Sequence, residues 1–65
     1  MNAEYLRMCE TLGKALHHAC AARSYIAQLR DSGWLRREEV ENMLALIENI
    51  VLSLTDTYRE QCIVE

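Results

Sequence analysis

From Tyr5 onward, apolar side chains return at intervals of 3, 4, 3, 4, 3, 4 and 3 residues: Tyr5, Met8, Leu12, Ala15, Ala19, Ala22, Ile26 and Leu29. Alternating threes and fours are the spacing at which a helix keeps one seam turned toward a neighbour. The pattern predicts a helix over about 3–31, with Tyr5, Leu12, Ala19 and Ile26 at heptad position a and Met8, Ala15, Ala22 and Leu29 at d. A second row runs beside it: Leu6, Cys9, Leu16, Cys20 and Ala27. Together the rows span an arc of roughly 160°, wider than the ~100° stripe a surface helix needs, so this helix should face more than one neighbour. Asn2 is placed to cap it, and Glu4 falls in the first turn, where the helix dipole favours a carboxylate.

Asp31-Ser32-Gly33 should end the helix, with Gly33 in the left-handed position and Trp34 making the apolar contact that follows. The turn is expected at 32–35. A second helix over about 36–61 carries Val40, Leu44, Ile47, Val51, Leu54 and Tyr58, flanked by Met43, Leu46 and Ile50. Arg36 serves as its N-cap, with Leu35 and Val40 as a hydrophobic staple. Residues 1–65 therefore read as one all-α domain, a hairpin of two long antiparallel helices. Folding the chain about Gly33 and Trp34 opposes residues whose numbers sum to about 67, placing Leu16 near Val51, Leu12 near Leu54 and Cys9 near Tyr58.

Size sharpens this picture. A chain of 65 residues buries only roughly 60% of its unfolded surface and usually needs a staple. The three cysteines do not suggest a disulfide, since Cys9 and Cys20 stand about 16 Å apart along one helix. Self-association is the staple expected instead: a symmetric homodimer forming a four-helix bundle. Its core and interface would be Tyr5, Met8, Leu12, Ala15, Leu16, Ala19, Ala22, Ile26, Leu29, Val40, Leu44, Ile47, Val51, Leu54 and Tyr58. Charge is unevenly divided, with +3 over residues 1–37 and −6 over 38–65, which favours antiparallel pairing. The overall acidity argues against nucleic acid as a partner. Glu4, Arg7 and Glu10 interrupt the start before any signal-like apolar stretch develops, and no membrane span is expected. Free thiols with no export signal point to the cytoplasm.

Residues capable of chemistry are few and scattered. His17 and His18 project about 100° apart and, with Cys20, offer at most two metal ligands on neighbouring faces; no metal site or cofactor is expected. Two packed helices supply no base and oxyanion site around a cysteine, so no enzymatic activity is expected. Arg7, Lys14, Arg23 and Arg30 recur along the first helix, either as a stripe that tracks phosphates or as a solvated face in which Glu10 pairs with Lys14. Trp34 is expected to lid the bundle end, with an exposed anchor as the alternative. Tyr25, Trp34, Leu52, Ile63 and Val64 lie off the seams and form the candidate partner-binding set.

In hairpin, heptads and size, the chain resembles the Rop family of plasmid copy-number proteins, dimeric helical hairpins that bind paired RNA loops. The resemblance spans the whole chain but includes no shared motif, so it assigns no RNA-binding residues. The function expected from the residues is that of a small non-enzymatic regulator or inhibitor, an anti-activator of the phage or plasmid type. It would bind an unidentified protein target through an apolar helix face. A Rop-like RNA binder and a secretion co-chaperone or small structural subunit are the alternatives.

Overall fold

The computed structural model describes residues 2–63, which form two helices and no strand. Helix α1 spans Ala3–Ser32 and α2 spans Arg37–Cys62. They pack side by side as an antiparallel hairpin, a rod of 49 × 16 × 14 Å.

The helix ends follow the local chemistry. Asn2 stays extended, and its side chain accepts the Glu4 backbone N–H at 2.8 Å, satisfying one of the donors a helix start leaves unpaired. Gly33 closes α1 with φ 74°, a conformation in which a Cβ would be strained. The Ser32 hydroxyl donates to the Leu29 carbonyl at 2.7 Å and accepts the Trp34 N–H at 3.2 Å, tying the turn together. Arg36 caps α2 in position only, since its side chain makes no capping bond and instead pairs with Glu39 at 2.9 Å. Trp34 is 80% exposed in this hairpin, so it does not lid the helix end.

The turn runs over 33–36, one residue later than expected, and this moves the register. Its midpoint lies between Trp34 and Leu35, so opposed backbone positions sum to about 69 rather than 67. Side chains lean toward the N-terminus of their own helix, which adds about one residue on each strand of the hairpin. The observed cross-helix neighbours sum to 71: Cys9 with Cys62, Gly13 with Tyr58, and Arg23 with Glu48. Cys9 therefore sits one helical turn away from its expected neighbour Tyr58.

That shift brings about the main correction to the sequence reading. Cys9 and Cys62 are joined in a disulfide, with Cα atoms 5.7 Å apart. Cys9 and Cys20, on one helix, are too far apart to bond. The partner comes from the other helix, 53 residues along the chain. In the chain-entropy description a closure of this length stabilises the fold by about 4 kcal/mol. The whole stability expected of a domain this size is about 3–10 kcal/mol. Cys20 remains a free, half-buried thiol.

The core is small. Among the described residues Ala19, Val40 and Val51 are buried, and of these only Val40, at 1% exposure, is closed off almost completely. Gly13 lies in the middle of α1 facing the Tyr58 ring, where an added Cβ would stand 3.7 Å from Cε2, an ordinary contact. Gly13→Ala is therefore expected to raise stability by about 0.5–1 kcal/mol through helix propensity. Gly33→Ala should lower it by about 1–2 kcal/mol through left-handed strain. Thermal melts followed by circular dichroism check both signs.

Candidate functional site

Two antiparallel helices are related by a local two-fold axis normal to the plane that holds them. Equal steps along each sequence from its contact row therefore reach the same side of the hairpin. The contact rows are Tyr5, Leu12, Ala19 and Ile26 on α1 and Leu44, Val51 and Tyr58 on α2, all buried or half-buried. Four residues on from them stand Cys9, Arg23, Glu48 and Cys62. Both cross-links between side chains fall here: the disulfide and the Arg23–Glu48 ion pair at 3.8 Å. One side of the hairpin is thus latched.

The other side is apolar and open. On α1 it carries Met8, Ala15, Ala22 and Leu29, three residues on from the contact row. On α2 it carries Met43 and Ile50, one residue before it. Tyr25 and Leu46 form the outer edges. Tyr25 is 66% exposed, Leu46 64% and Ile50 49%, and Met8 and Ala15 are also exposed. By the same register Ala22 lies near Ile50 and Leu29 near Met43, while Ala15 falls beside the polar Asp56–Thr57 stretch. The position of this face follows from the wide arc of α1.

The residues expected in the core and interface divide accordingly. Ala19, Val40 and Val51 are buried. Tyr5, Leu12, Leu16, Ala22, Ile26, Leu29, Leu44, Ile47, Leu54 and Tyr58 are half-buried, while Met8 and Ala15 point away from α2. The d row of α1 is therefore the outer edge of the contact, and the Cys9 and Leu16 row takes its place against α2. The residues expected to bind a partner are not brought together. Tyr25 lies on the open face, Leu52 on the opposite side, Trp34 at the turn and Ile63 beyond the far end of α2, all exposed. Val64 lies outside the described residues. Leu46 and Ile50 were legible as a flanking row but not as part of a site, because their exposure depends on which rows the hairpin consumes.

Polar groups are held by local partners. Arg23 pairs with Glu48 and Arg30 with Asp31 at 3.1 Å, so two of the four basic residues spaced along α1 are engaged by acids. At the turn, Arg36 pairs with Glu39, and Arg37 pairs with Glu41 at 3.3 Å. Glu10 and Lys14 form no ion pair among the described residues. Tyr5 donates its hydroxyl to the Gln61 carbonyl at 2.6 Å, close to the disulfide. His17 and His18 are exposed with their rings edge to face, centroids 5.4 Å apart. Among the described residues no group of three or more His, Cys, Asp or Glu is arranged to hold a metal ion. No described helix is long and apolar enough to cross a membrane.

Comparison with protein-family models, curated proteins and solved structures finds no match to this chain. The site is therefore argued from geometry alone. Adjacent residues on α2 provide a direct check of the facing. Val51→Ala should cost about 1.5 kcal/mol or more, and Leu52→Ala less than about 0.5 kcal/mol, as read by chemical denaturation.

Proposed function

We propose that the protein is a small non-enzymatic regulator that works as a homodimer and binds another protein through its apolar helix face. The observation that carries this reading is the set of apolar side chains on one side of the hairpin, Met8, Ala15, Ala22, Leu29, Met43 and Ile50, edged by Tyr25 and Leu46. Side chains of this kind left facing water mark a contact surface. With a rod of 49 × 16 Å, one side offers roughly 800 Å², the area each partner contributes to a standard stable interface.

A second copy meeting this face would set Met43 and Ile50 of one hairpin against the small Ala15 and Ala22 of the other. The result would be a four-helix bundle related by a two-fold axis. A target helix with apolar residues at i, i+3, i+4 and i+7 would lie along the same face. In this reading, self-association and target binding compete for one surface. Cys9 and Cys62 are bonded, so free thiols no longer argue for the cytoplasm; a disulfide there would be transient rather than permanent.

Ile50→Lys tests the reading. Sedimentation equilibrium should give about 15 kDa for the native chain, twice its 7.5 kDa, and the single-chain mass for the variant with its helicity kept. A monomeric native chain would remove the dimer. A protein partner captured from host lysate should survive nuclease treatment and be lost with Ile50→Lys. Recovery of RNA alone, released by moderate salt, would favour the Rop-like alternative instead.

A further inference from the structure

We propose that the Cys9–Cys62 disulfide is a reducible latch on the open end of the hairpin, so that the redox state of the chain decides whether its two helix ends stay together. The inference rests on where the bond lies relative to the core. Ala19 and Val51 sit near the middle of the rod and Val40 near the turn. None of the three buried residues falls within the terminal segments 3–12 and 58–62. There the helices are held by the disulfide, the single Tyr5–Gln61 hydrogen bond and half-buried contacts, while Leu6 and Ile63 remain exposed.

Both bonded cysteines are only half-buried, and Cys62 is the last residue of α2, so its sulfur is within reach of a small thiol. A low-molecular-weight dithiol supplies the two electrons. Its first thiolate attacks Cys62 Sγ, forming a mixed disulfide and expelling the Cys9 thiolate. Its second thiolate closes on its own sulfur in the mixed disulfide and releases the Cys62 thiolate. The products are a cyclic oxidised dithiol and two cysteine thiols, which take up the protons the reductant gave up. Cys20 stands about 16 Å along α1 from Cys9 and does not compete within the folded hairpin.

Opening begins at the unlatched end and spreads toward the turn. The latch belongs to the single hairpin and is independent of any partner. Its bearing on the apolar face, whose Met8 end it steadies, rests on the function proposed above. Fluctuation there would separate the α1 and α2 halves of that face.

The test uses the full chain, air-oxidised or treated with a dithiol, alongside Cys62→Ser and Cys20→Ser variants. Peptide mapping without reductant should find Cys9 linked to Cys62 within one chain. Reduction should lower the melting midpoint by roughly 10 °C or more. Amide exchange should accelerate first in residues 5–12 and 55–61. Cys62→Ser should melt like the reduced protein under both conditions, and Cys20→Ser should respond as the native chain does. Four results would each overturn the latch: thiols that stay unlinked in air, a link between chains, an unchanged midpoint, or a Cys62→Ser variant that unfolds while the reduced native chain stays folded. None of these readouts involves a target, so failure of the latch and failure of the proposed function are distinguishable.

Discussion

A helix that meets one neighbour hides a stripe of about 100° and leaves the rest of its circumference to water. Helix α1 of this protein carries two adjacent apolar rows, and α2 carries a contact row with a large-residue flank. Pairing the two helices uses one row of each and leaves a surplus on both. The antiparallel arrangement puts the two surpluses on the same side. The small core, the exposed Leu46 and Ile50, and the need for a covalent staple all trace to this mismatch between the apolar surface encoded and the surface one partner helix can cover.

The hairpin is consequently two-sided. One side holds its helices together through a disulfide and an ion pair; the other offers a second surface of apolar groups. Electrostatics contributes to the first. The basic excess on α1 meets the acidic excess on α2 at Arg23 and Glu48, although a pair this exposed adds little on its own. The disulfide outweighs it and lies at the open end of the rod, beyond the buried residues.

Much of this architecture was legible in the residues. The 3-4 spacing marks both helices, Asn2 and Gly33 mark the two ends of α1, and the a row of α1 faces α2 while its d row lies at the outer edge. What escaped was long-range. Register depends on a turn that starts and ends one residue later than expected, and on the lean of side chains along each helix. An error of one turn was enough to hide Cys62 from Cys9. Which of α1's two rows would face α2 was not decided by periodicity, because both fit; hence Met8 and Ala15 were assigned inward and turned outward. Trp34 satisfied the sequence rule for a contact after the C-cap but found no surface to cover in a single hairpin. The candidate partner residues had been chosen for standing off the seams, a criterion that scatters residues around a helix, whereas a surface needs neighbours.

Joining residue 9 to residue 62 also changes the connectivity of the chain. Fifty-four residues, most of the molecule, become a ring closed through sulfur, with short arms outside it. A single cut within the exposed turn around Trp34 would separate two fragments in an ordinary hairpin. Here it yields one covalent molecule with new ends, in which α1 and α2 remain tethered and aligned for as long as the bond persists. The backbone at the turn is therefore dispensable for continuity, and the tip of the rod is the place where the chain tolerates breakage or insertion best.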